Sequence, residues 1–61
     1  MTRRDYELIA QALNVARPNS ESDSYGWRQH SHVCNVIAGT LKADNPGFDY
    51  ELFMVNAGMR S

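Results

Sequence analysis

Ala43-Asp44-Asn45-Pro46-Gly47-Phe48-Asp49 stops one helix and starts another within seven residues. Pro46 has no amide hydrogen and disfavours helical geometry at the residue before it, so a helix arriving at this corner ends near Ala43 or Asp44. Gly47 lets the chain turn freely. Asp49 is placed to N-cap the next helix, because its carboxylate accepts orphan backbone amides and sits at the positive end of the helix dipole. Phe48 and Phe53 then occupy the positions before the cap and four after it, the spacing of a hydrophobic staple. A corner built this way predicts a helical domain, and the rest of the chain is read outward from it.

Upstream, the spacing predicts a second helix from about Trp27, or as early as residue 24, to Ala43. At about 100° per residue, Trp27, His30, Val33, Cys34, Ile37, Ala38 and Leu41 share one arc, with Arg28, His32, Asn35, Gly39 and Lys42 opposite. Trp27 carries the largest apolar area of any side chain here and is expected to anchor the domain, its indole N–H finding a partner at the edge. Gly39, on the polar side, implies close approach of another backbone or simple tolerance. Before this helix lies the polar linker Pro18-Asn19-Ser20-Glu21-Ser22-Asp23-Ser24, in which Ser20 or Ser24 is the expected cap.

Downstream, residues 49–58 form the third helix, with Tyr50, Phe53, Met54 and Ala57 on its apolar face and Gly58 as C-cap. The first helix covers residues 3–16, with Thr2 as N-cap and Asp5 completing a capping box. Its core face holds Tyr6, Ile9, Ala10, Leu13 and Ala16, while Leu8, Ala12 and Val15 widen the apolar arc beyond what one packing contact needs. Arg3, Arg4, Glu7, Gln11 and Asn14 are left for solvent. The expected core is therefore Tyr6, Ile9, Leu13, Trp27, Val33, Ile37, Leu41, Phe48, Phe53 and Met54, in an all-α three-helix domain spanning residues 1–61.

Sixty-one residues support one small domain, which buries only about 60% of the surface its unfolded chain exposes. Chains this short commonly draw stability from disulfides, a metal or another subunit, and the single Cys34 cannot form an internal disulfide. Self-association is the remaining route, so a homodimer is expected. The apolar surplus of Leu8, Ala12, Val15, Leu52 and Val55 is the candidate interface, because apolar surface gathered in one place marks an interaction site. A lone cysteine and the lack of a long apolar run point to a soluble protein of a reducing compartment, with no membrane contact; cytoplasm is the default.

Chemistry is sparse. His30 and Cys34 lie one turn apart on the same face, but a zinc site needs at least three protein ligands and His32 points elsewhere, so His30 reads as a half-buried, hydrogen-bonded packing residue. Asp5, Glu7, Asp44, Asp49 and Glu51 are accounted for by capping and solvation. None lies in an apolar stripe where burial would shift its pKa. Three short helices also have little interior with which to enclose a pocket of about 300 Å³ or more. No catalytic residues, metal or cofactor are expected.

The formal net charge is −1, and the six basic residues are scattered along the chain. Two helices joined by a short Gly-containing turn are nevertheless the parts of a helix-turn-helix, and a dimer could pool Arg3, Arg4 and Arg28 on one surface. The would-be recognition helix offers Tyr50, Glu51, Met54, Val55 and Asn56 and no cation before Arg60, whereas phosphate and guanine contacts favour arginine and lysine. DNA binding is therefore the alternative reading.

Two stretches carry a resemblance: Thr2-Arg3-Arg4-Asp5-Tyr6-Glu7-Leu8-Ile9-Ala10, and Ala43-Asp44-Asn45-Pro46-Gly47-Phe48-Asp49-Tyr50-Glu51-Leu52-Phe53 followed by Ala57-Gly58. Together they resemble short, uncharacterised proteins of tailed bacteriophages and prophages, with the Trp27 helix matching more loosely and the linker not at all. The resemblance implies expression in a bacterial cytoplasm and an accessory role in binding host or phage machinery. It brings no catalytic residues with it.

Overall fold

The computed structural model describes residues 1–60. Among them are three helices and no strand: α1 (Arg3–Val15), α2 (Ser24–Asp44) and α3 (Tyr50–Asn56). The chain is all-α.

The ends of α1 follow from local chemistry. Asp5's amide donates to Thr2 Oγ1 at 3.3 Å and Thr2's amide donates to the Asp5 carboxylate at 2.9 Å, closing the capping box. The helix stops at Val15, one residue short of expectation, because Pro18 disfavours helical geometry at Arg17. Arg17 instead turns back, its Nε donating to the Asn14 carbonyl at 3.0 Å.

The start of α2 corrects the sequence reading. Neither Ser20 nor Ser24 caps it; Asp23 does, its carboxylate accepting from the Gly26 amide at 2.8 Å. A charged acceptor is the stronger partner for the positive end of a helix. Ser20 and Ser22 bond each other at 2.8 Å within the linker.

The corner forms as read. Phe48's amide donates to the Asn45 carbonyl at 2.9 Å, and Asn45 Oδ1 accepts from the Gly47 amide at 3.1 Å. Lys42, in the last turn of α2, clamps the corner by donating to the Pro46 and Phe48 carbonyls at 2.7 and 3.1 Å. Asp49 caps α3 through the Leu52 amide at 3.0 Å, and the Phe48 and Phe53 rings meet at 5.3 Å. Gly47 closes this turn without a positive φ; among the described residues only Gly58 has one, at +78°. Gly58 ends α3 as the left-handed residue after the Ala57 cap, with its own amide on Val55 and the Met59 amide on Met54.

Asn45 Nδ2 donates to the Tyr6 hydroxyl at 3.2 Å, which brings the end of α2 back to the start of α1. α3 packs on both. Asn14 Nδ2 donates to the Asn56 carbonyl at 3.1 Å, and the Tyr50 hydroxyl donates to Asn35 Oδ1, which tie α3 to α1 and to α2.

The core is Ala10, Cys34, Ala38, Phe48, Phe53, Met54 and Ala57, with Tyr6, Ile9, Leu13, Ile37, Leu41, Tyr50 and Met59 half-buried around it. Two expected core residues are displaced. Val33 is 46% exposed, because α3 covers the other side of α2. Trp27 is half-buried and stands outside the core cluster; its indole N–H donates to the Ser20 carbonyl at 2.9 Å, so it pins the linker rather than the three-helix junction. The smallest buried side chains are Ala10, Ala38 and Ala57; each lies on the apolar face read for its helix, though none was among the expected core residues. Gly39 has no neighbour where a Cβ would stand, so close approach is not its reason.

Candidate functional site

The surface is distinguished by where apolar side chains remain in water. On α1, Leu8 is 49% and Val15 83% exposed, with Ala12 exposed between them on the same stripe. The wide apolar arc of this helix is thus packed on one side only. On α3, Leu52 and Val55 are exposed at 41% and 40%. Leu52 lies beside Asn56 of α3 and Arg3, Glu7 and Gln11 of α1, and those polar residues of α1 separate it from the Leu8 stripe. The five candidate interface residues therefore form two groups, Leu8, Ala12 and Val15 on α1 and Leu52 and Val55 on α3.

Further apolar side chains lie on the sides of α1 and α2 turned away from α3. Asn14 and Asn35 mark the α3 side of α1 and α2. Residues two before or after them lie about 160° round the helix. On α1 these are Ala12 and Ala16, and on α2 they are Val33 and Ile37. Ala12, Ala16 and Val33 are exposed, whereas Ile37, like Ile9 of α1, is half-buried against the core. Val33 was assigned to the core from its periodicity, since the helical arc is the same whichever side a neighbour covers.

Between the start of α1, the corner and α3 runs a cleft of about 450 Å³, larger than the interior expected of three short helices because it is open on one side. Tyr6, Phe48, Leu52 and Phe53 supply its apolar wall. Its polar groups are engaged with one another: Arg3 pairs with Glu7 at 3.2 Å, Asp49 holds the Leu52 amide and Tyr6 accepts from Asn45. Among the described residues no buried side-chain polar atom lacks a partner.

His30 Nε2 and Cys34 Sγ stand 3.5 Å apart, and burial pushes the Cys34 thiol above its usual pKa. A raised thiol is a poorer nucleophile and metal ligand. Among the described residues no three His, Cys, Asp or Glu side chains converge.

The candidate DNA-contacting arginines are not brought together within one chain. Arg3 and Arg4 begin α1, whereas Arg28 lies near the start of α2, about 25 Å along that helix from the corner that meets α1. Arg60, the first cation after α3 in the sequence, is held by Glu51 at 2.6 Å.

Fold and surface together define a three-helix domain in which the short α3 packs on both longer helices, with aliphatic side chains of α1, α2 and α3 left in solvent. Compared with protein families, with characterised proteins and with solved structures, the chain matches none. Among the described residues no helix is long and apolar enough to cross a membrane.

Proposed function

We propose that this chain is a small phage-type accessory protein of the bacterial cytoplasm that acts by protein–protein interaction, as a homodimer that binds a host or phage protein. The observation that carries the reading is the set of exposed aliphatic side chains on a domain whose sequestered core is small, Val15 at 83% exposure being the extreme. Exposed apolar surface of this kind costs solubility unless something covers it. The phage assignment rests on the resemblance at the two ends of the chain.

The helix-turn-helix alternative has less support, since Arg60 is engaged by Glu51 and the arginines of α1 and α2 stand far apart in one chain. The test is a Leu8→Asp, Val15→Asp double variant, measured by circular dichroism and by solution mass or partner capture. Helicity is expected to persist while association is lost. Unfolding of the isolated chain would instead make those residues structural and remove the main support for the reading.

A further inference from the structure

We propose that Lys42 is an acylation site whose charge latches the corner and α3 onto the domain, so that transfer of an acyl group to Nζ from an acyl phosphate lets α3 lift while α1 and α2 stay helical. This latch goes beyond the interaction reading and does not depend on what the exposed aliphatic side chains bind.

The hydrogen bonds of the corner single out this side chain. Among the described residues no backbone amide reaches the carbonyl of Pro46 or of Phe48. Lys42 Nζ donates to both, at 2.7 and 3.1 Å. A single ammonium nitrogen with three N–H bonds suits two acceptors that converge on one point. No carboxylate pairs with it: the ion pairs among the described residues are Arg3 with Glu7 and Arg60 with Glu51. The charge of Lys42 therefore acts on two neutral carbonyls and on the negative end of α2, whose last turn it occupies.

Those two carbonyls belong to the segment that closes the core. Phe48 packs on Phe53 and precedes Asp49, the cap of α3, and both rings share one buried cluster with Met54, Ala57 and Cys34 of α2. Lys42 is itself exposed, and it is the one lysine of the chain, the other five cations being arginines. Acyl transfer to side-chain amines therefore meets this position alone. The ammonium first loses a proton to solvent, and the free amine attacks the acyl carbonyl. The N–C bond forms, the C–O bond to phosphate breaks, and phosphate departs with the electron pair and the second proton. The amide left on Nζ has one N–H and no charge, so it no longer holds both carbonyls. The Asp49 cap and the contact of Phe48 with Phe53 remain, so the chain stays folded and the lifted state of α3 becomes more frequent.

The test treats the folded chain with acetyl phosphate and reads the modified residue by peptide mapping, helicity by circular dichroism, and the rate at which a thiol reagent labels buried Cys34 without denaturant. Lys42→Met, which keeps the aliphatic stem, and Lys42→Arg, which keeps the charge, are run beside it. The expected result is an acetyl group on Lys42, helicity retained, and Cys34 labelled about tenfold faster in the acetylated chain and in Lys42→Met, with Lys42→Arg close to the parent. Two charge-assisted hydrogen bonds alone imply a larger factor, but the site is exposed and water takes over the freed carbonyls. A parental labelling rate in Lys42→Met overturns the latch. Wholesale unfolding of Lys42→Met overturns it too, since Lys42 then holds the whole domain rather than α3. A Lys42→Arg chain labelled as fast as Lys42→Met overturns charge as the cause. A Lys42 that stays unmodified in the folded chain, under conditions that acetylate it in urea, overturns the acylation site.

Discussion

Replacing Phe53 by alanine removes the side chain on which α3 depends. Phe53 is 3% exposed and its ring packs on Phe48 at 5.3 Å, which in turn meets Tyr6 of α1 at 4.8 Å. α3 itself has seven residues, far too few to be helical alone, so its structure comes from packing. Losing the buried ring costs about 2–3 kcal/mol of transfer free energy, and the cavity left behind brings the total to about 3–5 kcal/mol. At about 0.05–0.15 kcal/mol per residue, a chain of sixty-one residues has only about 3–9 kcal/mol to lose. Because α3 joins both other helices, the loss is expected to be global. Urea unfolding followed by circular dichroism should show the Phe53→Ala chain largely unfolded, or its midpoint lowered by about 3–5 M if the urea dependence is about 1 kcal/mol per molar. Phe53→Leu, which keeps most of the volume, should retain a cooperative transition. A Phe53→Ala chain within about 1 kcal/mol of the parent would refute the view that α3 is the keystone.

Gly39→Ala, entering open space on an exposed helical face, should raise stability by about 0.5–1 kcal/mol, whereas Gly58→Ala, forced to a φ of +78°, should lower it by about 1 kcal/mol; thermal melts of the two should move in opposite directions. Thr2's backbone amide, and then its side chain, hold the Asp5 carboxyl below its ordinary 3.8. The capping box is therefore formed above the ordinary carboxylate range and released as pH falls through Asp5's lowered value. A carboxyl titration by NMR with a midpoint at or above 3.8 would contradict this. Cys34, fully buried, should resist thiol reagents at pH 8 in the folded protein and react readily in urea; immediate labelling without denaturant would show that the core around it opens.

Much of this architecture was legible because its signals are local. The capping box at Thr2 and Asp5, the cap at Asp49, the Phe48–Phe53 staple and the stop at Pro46 each involve residues within five positions of one another, so no tertiary information is needed to read them. The Asp23 cap was equally local. It was missed because the linker offers several cap-forming residues and spacing alone does not rank a carboxylate above its serine neighbours.

The core was only half legible. Periodicity assigns an arc to each helix but does not say which part of that arc a neighbour covers. Val33 and Ile37 sit on the same arc of α2, and Val33 is exposed only because α3 lies across the Asn35 side. Trp27 has the largest side chain, but the linker folds back beneath it and takes its indole hydrogen bond. Ala10, Ala38 and Ala57 lay on apolar faces read from periodicity but outside the expected core, because their burial depends on which part of each face a neighbouring helix covers.

By itself, then, the sequence determined three helices, most of their stops and the caps at Thr2 and Asp49, and the corner between α2 and α3, because these rest on backbone geometry and hydrogen bonds between near neighbours. The tertiary structure alone decided which apolar residues are core and which are surface. Burial depends on where α3 settles against α1 and α2, and that placement is the joint outcome of Phe48, Phe53, Met54 and Ala57 packing against two helices at once.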